Sequence, residues 1–419
     1  MLLPRPSVSF GFRQIAMGRR ILLLQGPVGG FFRFLQGHLE GAGFDVRRLV
    51  FNGGDIIYAM GRSFEVVRPR EESYEEAIAA IIHGWPADAV LLFGDERPIH
   101  RAACDAARQL GVPVFCFEEG YIRPDYVTFE LGGNNANSLL TETFVPEGAV
   151  DSSPPAPALE SSTFAMTRVA MVYFGALRLS HFLFPLYRHH RERHIRTEFR
   201  YWTRALWRRF RSRRHDEEFF AKLNRPDHPP FFVLALQVHD DMQLVRHGRG
   251  WTTRTFLERA LESFRRAAPA DCHLVVKAHP LDVGYGHHKK HLRYLIEDSG
   301  LGKRVVYLQV GPFMPLVRHA RGLVTINSTS GIAALGAGVP VMAIGDAFYH
   351  GEGLAFRPET TDEFDAFWAD PRPVDPEKTA RFNEHVRRHG LIAGSFYLRH
   401  TWPSLSEGVV ARLRAVFGD

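Results

Sequence analysis

The chain has 419 residues, of which 45% are hydrophobic and 23% are charged, and its formal net charge is +6. These values are typical of a folded globular protein and exclude a disordered or collagen-like chain. The length favours two domains rather than one core. A basic balance fits nucleic acid, a membrane surface or an anionic substrate as partner.

The three cysteines and the apolar segments exclude further classes. No pair of cysteines has CxxC spacing, so the sequence predicts buried thiols, no disulfide framework and no cysteine zinc site. No segment reaches the roughly 20 apolar residues that a membrane-spanning helix needs. Residues 1–18 lack the apolar core of a signal peptide and are interpreted as an N-terminal extension.

The first half of the chain alternates apolar runs with helical patterns. Such alternation predicts a parallel sheet with right-handed crossovers. The turn after the first run contains Gly26, Gly29 and Gly30, which match neither a dinucleotide fingerprint nor a P-loop. A ligand role for Gly29 and simple tight packing both remain open. The predicted strands are 20–25, 44–51, 87–93 and 112–117, and the predicted helices are 31–42, 74–83 and 99–110.

Two predicted strands of this half end in charged side chains. Asp95 and Arg97 follow the run 87–93, and Glu118 and Glu119 end the run 112–117, with Arg123 shortly after. Ligands bind at the carboxyl ends of strands in open α/β sheets, so these groups are expected to line one cleft. The carboxylates are candidates for a nucleophile or general base, and the arginines for anion clamps. Surface charge at strand ends is the alternative interpretation.

A change of composition separates the two halves. Residues 147–162 are rich in Pro, Ser and Ala, which is typical of a linker. Residues 187–214 carry eleven arginines and two acids with interleaved aromatics. As a helix, this stretch would suit an anionic membrane, a domain interface or, least well, nucleic acid.

The second half repeats the α/β pattern, so we predict a GT-B-like α/β fold. In this fold two Rossmann-like domains face an interdomain cleft, here with a basic helical insertion and a C-terminal helical segment that wraps back across both. The predicted divisions are 1–18, 19–150, 151–229, 230–356 and 357–419. The predicted strands are 231–237, 273–277, 305–308, 322–326 and 339–344, and the predicted helices are 253–267, 286–299 and 332–338.

Three motifs of the second half carry candidate ligand groups. Ser328, Thr329, Ser330 and Gly331 follow a strand and open a helix, a pattern that suits a phosphate or an ordinary N-cap. Two further strand ends add candidates, and we predict no metal because no second acidic cluster has matching spacing. These candidates are Lys277, His279 and Pro280 at one strand end and His239 and Asp240 at another.

In combination, these motifs resemble the capsule polysaccharide biosynthesis and export proteins of the KpsS/LipB type. The resemblance rests on four segments in the order of the family and covers roughly residues 19–356. Where the related dual-module Kdo transferases have Glu-Asp-Gly, this chain has Glu-Glu-Gly. The four segments are 93–100, 117–124, 277–280 and 328–331.

The resemblance implies a retaining β-Kdo glycosyltransferase. It would transfer Kdo from CMP-Kdo to a phosphatidylglycerol-type lipid, with no cofactor beyond the donor substrate. Catalysis would fall to Glu119 first and Glu118 second, with Asp95 beside them, and His279 and the Ser328 turn would contact CMP.

The same resemblance implies a cytoplasmic protein that is peripheral on the inner face of the cytoplasmic membrane. Its partners would be the lipid acceptor and other capsule assembly proteins, and not nucleic acid. A non-catalytic export scaffold and a transferase using a nucleoside-diphosphate sugar are the alternatives.

Overall fold

The computed structural model describes residues 18–69, 72–145, 156, 158–160, 162–189, 195–238, 241–279 and 287–418. The first half contains β1 (Arg20–Leu23), α1 (Phe31–Gly41), β2 (Asp45–Val50), α2 (Gly53–Ala59), β3 (Glu65–Val66), α3 (Tyr74–Gly84), β4 (Ala89–Phe93), α4 (Pro98–Gln109), β5 (Val114–Glu119) and β6 (Tyr126–Leu131). Two long helices follow, α5 (Thr163–Leu179) and α6 (Ile195–Lys222).

The second half begins with β7 (Phe231–Ala235), α7 (Met242–His247), α8 (Thr253–Ala267), β8 (His273–Lys277), α9 (His288–Ser299) and β9 (Val305–Leu308). It continues with α10 (Phe313–Arg318), β10 (Gly322–Thr325), α11 (Ser330–Gly336) and β11 (Val341–Ala343). The chain ends with α12 (Thr361–Ala369), α13 (Pro376–Gly390), β12 (Leu391–Ala393) and α14 (Trp402–Phe417).

The strands form two sheets, one in each half of the chain. The first has seven strands in the order β12-β6-β5-β4-β1-β2-β3, and the second has five in the order β11-β10-β7-β8-β9. All pairings are parallel except those of β6 with β5 and of β12 with β6. Two Rossmann-like domains on either side of a cleft make this a GT-B-like fold, which confirms the predicted fold class.

Apolar cores cover both faces of each sheet. Every side chain of β4 and of β7 is buried, because helices pack on both sides of these central strands. Strands of this kind are continuous apolar runs, and this is why the sequence predicted them. The predicted strands appear as β1, β2, β4, β5 and β7 to β11, and capping boxes at Ser73, Thr252 and Thr360 start α3, α8 and α12.

The last segment of the chain divides between the two domains. Trp368 of α12 is buried in the second domain against Phe232 and Phe264. β12 instead joins the first sheet beside β6, and Trp402 of α14 packs on Phe31 of α1 with a ring-centroid distance of 6.0 Å. This segment therefore supplies an edge strand and a helix to the first domain and a helix to the second.

A buried polar network holds α5 against the first domain. The Asp55 carboxylate accepts hydrogen bonds from Gln25 Nε2 at 2.8 Å, Asn52 Nδ2 at 3.0 Å and the Tyr173 hydroxyl at 3.0 Å. Tyr173 belongs to α5, so this side of the helix is fixed by charge-assisted hydrogen bonds. Burial raises the pKa of Asp55, and the nearby Arg48 guanidinium opposes that shift.

The basic helix α6 contacts the second domain near its C-terminal end. Asp216 is 1% exposed, and its carboxylate accepts the backbone N–H groups of Gln309 at 3.0 Å and Val310 at 2.8 Å. Further toward the N-terminus, Trp207 and Phe210 are exposed. The helix therefore packs on the second domain at one end and exposes aromatic side chains further along.

Candidate active site

The carboxyl end of β4 places an acidic pair in the cleft. Asp95 is buried, and its Oδ2 accepts the Asn134 backbone N–H at 3.1 Å and Asn137 Nδ2 at 2.8 Å. The same Asn137 amide donates to Glu96 Oε1 at 2.7 Å. Burial is the main cause that raises the pKa of Asp95, although both hydrogen bonds oppose it.

Gly94 lets the neighbouring strand approach the end of β4. Its φ is +72°, and a Cβ at this position would lie 3.3 Å from Glu118 Oε2. The ring of the buried His100 hydrogen-bonds to the Gly94 carbonyl through Nδ1 at 2.8 Å, and burial lowers its pKa to about 3. His100 is therefore neutral and fixes the turn beneath the Glu118 carboxylate.

Glu118 and Glu119 are the last two residues of β5, and both are half-buried. The antiparallel neighbour β6 pairs Thr128 with Glu118 and Val127 with Glu119, so the strand stays extended through both carboxylates. Glu118 Oε1 accepts the backbone N–H of Glu119 at 3.0 Å. The two carboxylates are close enough for the charge of Glu119 to act on Glu118, but their surroundings differ because the Tyr397 hydroxyl hydrogen-bonds to Glu119.

The pKa of Glu118 is raised to about 7, chiefly by burial. The Glu119 N–H and the charge of Arg97 lower it, whereas the charges of Glu119 and Asp241 raise it further. A carboxyl group with a pKa near neutrality exchanges a proton easily at physiological pH, as a general acid or base requires.

Glu119 has a partner that sequence reasoning missed. The Tyr397 hydroxyl donates to Glu119 Oε1 at 3.1 Å, although 278 positions separate the two residues. Burial raises the pKa of Tyr397 well above its usual value, so the phenol stays neutral and donates. Only the return of the C-terminal segment to the first domain brings this phenol to the site, and no local sequence signal marks it.

The second domain closes on the acidic pair through α7. His247 Nε2 lies 2.8 Å from Glu96 Oε1, and Gln243 Nε2 lies 3.5 Å from Asp95 Oδ1. The hydrogen bond between His247 and Glu96 raises the pKa of His247 and lowers that of Glu96. Because 151 positions separate His247 from Glu96, this contact between the domains was also outside the reach of sequence reasoning.

A second contact between the domains lies beside the first. The Tyr121 ring packs on Phe348 at a centroid distance of 4.4 Å. The Tyr121 hydroxyl donates to the buried Glu130 carboxylate, and the Ser138 hydroxyl donates to its other oxygen. Burial raises the pKa of Glu130 to about 7. This network stiffens the loop after β5 without entering the cleft.

In the second domain, the carboxyl end of β8 carries the predicted cation. Lys277 is buried, and its ammonium donates to the Ala278 carbonyl at 3.2 Å. His279 follows as a half-buried residue. The predicted candidates Pro280, His239 and Asp240 lie outside the described residues.

The Ser328 turn lies at the carboxyl end of β10. Ser330 Oγ donates to Ser328 Oγ at 2.8 Å, and the Tyr349 hydroxyl donates to the Ser328 carbonyl at 2.5 Å. A Cβ at Gly331 would lie 2.5 Å from the Tyr349 oxygen, so only glycine fits there. Ser328, Thr329 and Ser330 are half-buried, which leaves their polar groups near the surface of the cleft.

The predicted arginines occupy different surroundings. The Arg97 guanidinium lies 5.0 Å from the centroid of the Phe93 ring, and its charge acts on Glu118. Arg123 is exposed, and its Nε donates to the Gly120 carbonyl at 3.1 Å. Arg97 therefore lies close to the carboxylates, whereas the described contact of Arg123 is with the backbone of its own loop.

Beside the carboxylates lies a pocket of about 210 Å³. Gly29 and Gly30 form one wall, and Tyr397 forms another, so the pocket adjoins the residue that contacts Glu119.

The described residues contain neither a membrane-spanning helix nor a cluster of metal ligands. Within those ranges, no helix is long and apolar enough to cross a membrane. The same ranges contain no group of three or more His, Cys, Asp or Glu side chains arranged to hold a metal ion.

Comparison with solved structures finds proteins of low sequence identity. KpsC, a β-Kdo 2,7 transferase of Thermosulfurimonas dismutans, is 14% identical with a TM-score of 0.41, over 87% of this chain and 89% of that chain. Anabaena HepE in complex with UDP and glucose is 11% identical with a TM-score of 0.38, over 95% of this chain and 100% of that chain.

Comparison of sequences gives closer relatives. The capsule polysaccharide export protein KpsS of Escherichia coli is 34% identical over 342 residues, 81% of this chain and 88% of its own length. The capsule polysaccharide modification protein LipB of Neisseria meningitidis serogroup B is 32% identical over 394 residues, 92% and 93% of the two chains. The family described as "Capsule polysaccharide biosynthesis protein" matches residues 88–397. The chain therefore belongs to the capsule polysaccharide biosynthesis protein family.

Proposed function

We propose that this protein is a retaining β-Kdo glycosyltransferase that moves Kdo from CMP-Kdo to a phosphatidylglycerol-type lipid and so starts the linker of a capsular polysaccharide. The observation that carries the proposal is the carboxylate pair at the end of β5. One member, Glu118, has a pKa raised to about 7, and the other, Glu119, accepts a hydrogen bond from a neutral tyrosine. Two carboxyl groups in different surroundings are what a double-displacement glycosyl transfer requires.

In the first step, the Glu119 carboxylate attacks the anomeric carbon of Kdo. The bond from that carbon to the phosphate oxygen breaks, and CMP leaves with the electron pair. Tyr397 holds one oxygen of Glu119, so the attacking oxygen is oriented before the donor arrives.

In the second step, a hydroxyl of the acceptor attacks the same carbon and Glu119 leaves as a carboxylate. The hydroxyl proton passes to Glu118, whose raised pKa suits a base at neutral pH. Two inversions at one carbon give net retention of configuration. Arg97 lies close enough to act on Glu118 and is the candidate partner for the Kdo carboxylate, with Arg123 as the second candidate.

The donor phosphate is assigned to the second domain. Lys277 and His279 lie at the end of β8 and the Ser328 turn follows β10, the two strands that flank the central strand β7. A cation and several hydroxyl and N–H donors would stabilise the charge that develops on departing CMP. The resemblance of these motifs to those of the KpsS/LipB type supports CMP-Kdo as the donor.

The test is a transfer assay with CMP-Kdo and a fluorescent phosphatidylglycerol analogue. Wild type should form the glycosylated lipid, Glu119→Gln should not, and the exposed Glu72→Gln should match wild type as the control. Product from Glu119→Gln at the wild-type rate would move the nucleophile elsewhere.

Calorimetry separates the remaining alternatives. Binding of CMP but not UDP supports the proposed donor, whereas binding of UDP alone would indicate a nucleoside-diphosphate sugar transferase. Binding of neither nucleotide, with no product in the transfer assay, would reject the transferase and favour an export scaffold.

A further inference from the structure

The pocket beside the carboxylates has walls of two different kinds. Ile57, Val169 and Trp402 make part of it apolar. Two glycines leave space on another wall, since neither position suits a side chain. Gly29 has a φ of +124°, and a Cβ at Gly30 would lie 3.4 Å from the Trp402 ring. At about 210 Å³ it is smaller than the roughly 300 Å³ at which drug-sized ligand pockets begin, so it fits a small headgroup and not a nucleotide sugar.

Three arginines line this pocket. Arg33 comes from α1, Arg168 from α5 and Arg399 from the short turn before α14. No carboxylate lines the pocket, and among the described residues none of the three forms an ion pair. Three unpaired cations from separate segments make a strong site for a phosphate or another polyvalent anion.

Tyr58 ties two of the arginines to one place. Its hydroxyl donates to the Val169 carbonyl at 3.0 Å, and the charges of Arg168 and Arg399 both act on it. Arg33 is held by a hydrogen bond from its Nη1 to the Met60 carbonyl at 3.0 Å. These contacts hold the three arginines in fixed positions around the pocket.

The helix that supplies Arg168 has an apolar face that points away from the protein. Its opposite face is fixed through Tyr173. The outward face and the short helix His181–Leu183 expose Phe164 by 81%, Met171 by 65%, Leu179 by 79% and Phe182 by 77%.

The charges on the segment that carries this face all have one sign. No acidic residue occurs between Glu160 and Glu192, whereas Arg168, Arg178 and Arg188 do. Large apolar side chains together with arginines and no acids are typical of a surface that docks on an anionic bilayer.

We propose that the Arg33–Arg168–Arg399 pocket binds the phosphodiester of a phosphatidylglycerol-type acceptor while the outward face of α5 docks on the anionic bilayer that supplies it. This inference rests on the proposed function and assigns its acceptor a site. Charge complementarity selects the membrane as the occupant of the face, since the basic, acid-free surface matches anionic headgroups.

The position of Tyr397 explains how such a pocket would serve the reaction. Tyr397 lines the pocket and donates to Glu119, so one side chain borders both the headgroup site and the nucleophile. A phosphate held by the arginines would leave the terminal glycerol hydroxyl free to reach toward the carboxylates. The acyl chains would leave along the apolar wall toward Phe164 and the bilayer.

The pocket is tested by calorimetric binding of monomeric dihexanoyl phosphatidylglycerol, without CMP-Kdo. The double variant Arg168→Gln/Arg399→Gln should weaken binding about tenfold or more, because it removes two charge-assisted contacts. The control Arg101→Gln changes an exposed arginine outside both the pocket and the docking face and should bind as wild type. Unchanged affinity in the double variant, with an unchanged melting temperature, would overturn the assignment.

Inorganic phosphate is the probe that separates a lipid site from a simple anion site. Wild type should bind dihexanoyl phosphatidylglycerol at least about tenfold more tightly than phosphate, because the apolar wall contributes only to the lipid. Equal affinities would overturn the lipid as the source of the phosphate.

The docking face is tested by flotation with vesicles of phosphatidylcholine alone or with about 30% phosphatidylglycerol. Wild type should float with the anionic vesicles, and Leu179→Ser/Phe182→Ser should lose most of that binding. Val145→Ser changes an equally exposed apolar residue elsewhere and should not alter flotation. Equal flotation of wild type and the double variant would overturn the docking face.

The two proposals can fail separately. If dihexanoyl phosphatidylglycerol binds as expected but no Kdo is transferred, the proposed reaction fails and the pocket stands. If transfer occurs and Arg168→Gln/Arg399→Gln leaves KM for the lipid unchanged, the pocket assignment fails and the reaction stands.

Discussion

The pH dependence of Kdo transfer tests the role of Glu118 directly. Burial in the cleft raises its pKa to about 7, against the opposing charge of Arg97. If Glu118 takes the proton of the acceptor in its ionised form, kcat should rise with pH. The ionised fraction increases from about 1% at pH 5 to about one half at pH 7, so we expect a roughly 50-fold increase in kcat.

The assay measures initial rates from pH 5 to pH 8 at saturating CMP-Kdo and dihexanoyl phosphatidylglycerol, with donor hydrolysis subtracted. Glu118→Gln should be slow at every pH and should lose the rise. His247 is a second titratable group of the cleft, and its hydrogen bond with Glu96 raises its pKa. His247→Gln is therefore the matched control, and its kcat should still increase with pH. A wild-type profile that is flat between pH 5.5 and 7.5, or a rise that persists in Glu118→Gln, would refute the reasoning.

Three further substitutions test the structure by urea denaturation. Asp55→Ala should cost about 3–5 kcal/mol, because it leaves several buried donors unsatisfied and removes the carboxylate whose charge acts on the buried Arg48. Asp55→Asn should cost less, and equal losses would contradict this account. Gly331→Ala should cost about 1–3 kcal/mol and weaken CMP binding, because its Cβ meets Tyr349; unchanged CMP affinity would remove the Ser328 turn from the donor site. Burial raises the pKa of Glu130 to about 7 in the folded protein, so its contribution to the free energy of unfolding is full below its unfolded pKa and is lost as the pH rises through 7. Between pH 5 and pH 8, the free energy of unfolding of wild type should therefore fall by on the order of 3 kcal/mol more than that of Glu130→Gln.

The sequence predicted the parallel strands of both sheets except the two-residue β3, and it missed the antiparallel edge. Within the predicted strands 87–93 and 231–237, residues 89–93 and 231–236 are continuously apolar because helices cover both faces, and this signal is local. β6 alternates and contains the buried Glu130, and β12 has only three residues. Their pairing depends on a contact between residues that are more than 260 positions apart, as in Ile392 with Val127, and no local pattern contains that information.

The candidate site divides in the same way. Asp95, Glu118 and Lys277 were predicted because each follows an apolar run, and strand ends converge in a Rossmann-like sheet. Tyr397 and His247 were missed because tertiary structure alone brings them to the carboxylates. The raised pKa of Glu118 likewise depends on how deeply the closed cleft buries it, which a sequence does not state.

The return of β12 and α14 to the first sheet affects how the chain is made. During synthesis, the strands from Arg20 to Leu131 emerge first, but their edge partner and the helix that covers α1 emerge last. The second domain, whose sheet is complete by β11, can therefore finish folding while the first waits on the ribosome with apolar surface exposed. A nascent chain with this exposed apolar surface is a natural client for a chaperone. Removal of α14 would leave the same surface exposed in every completed molecule.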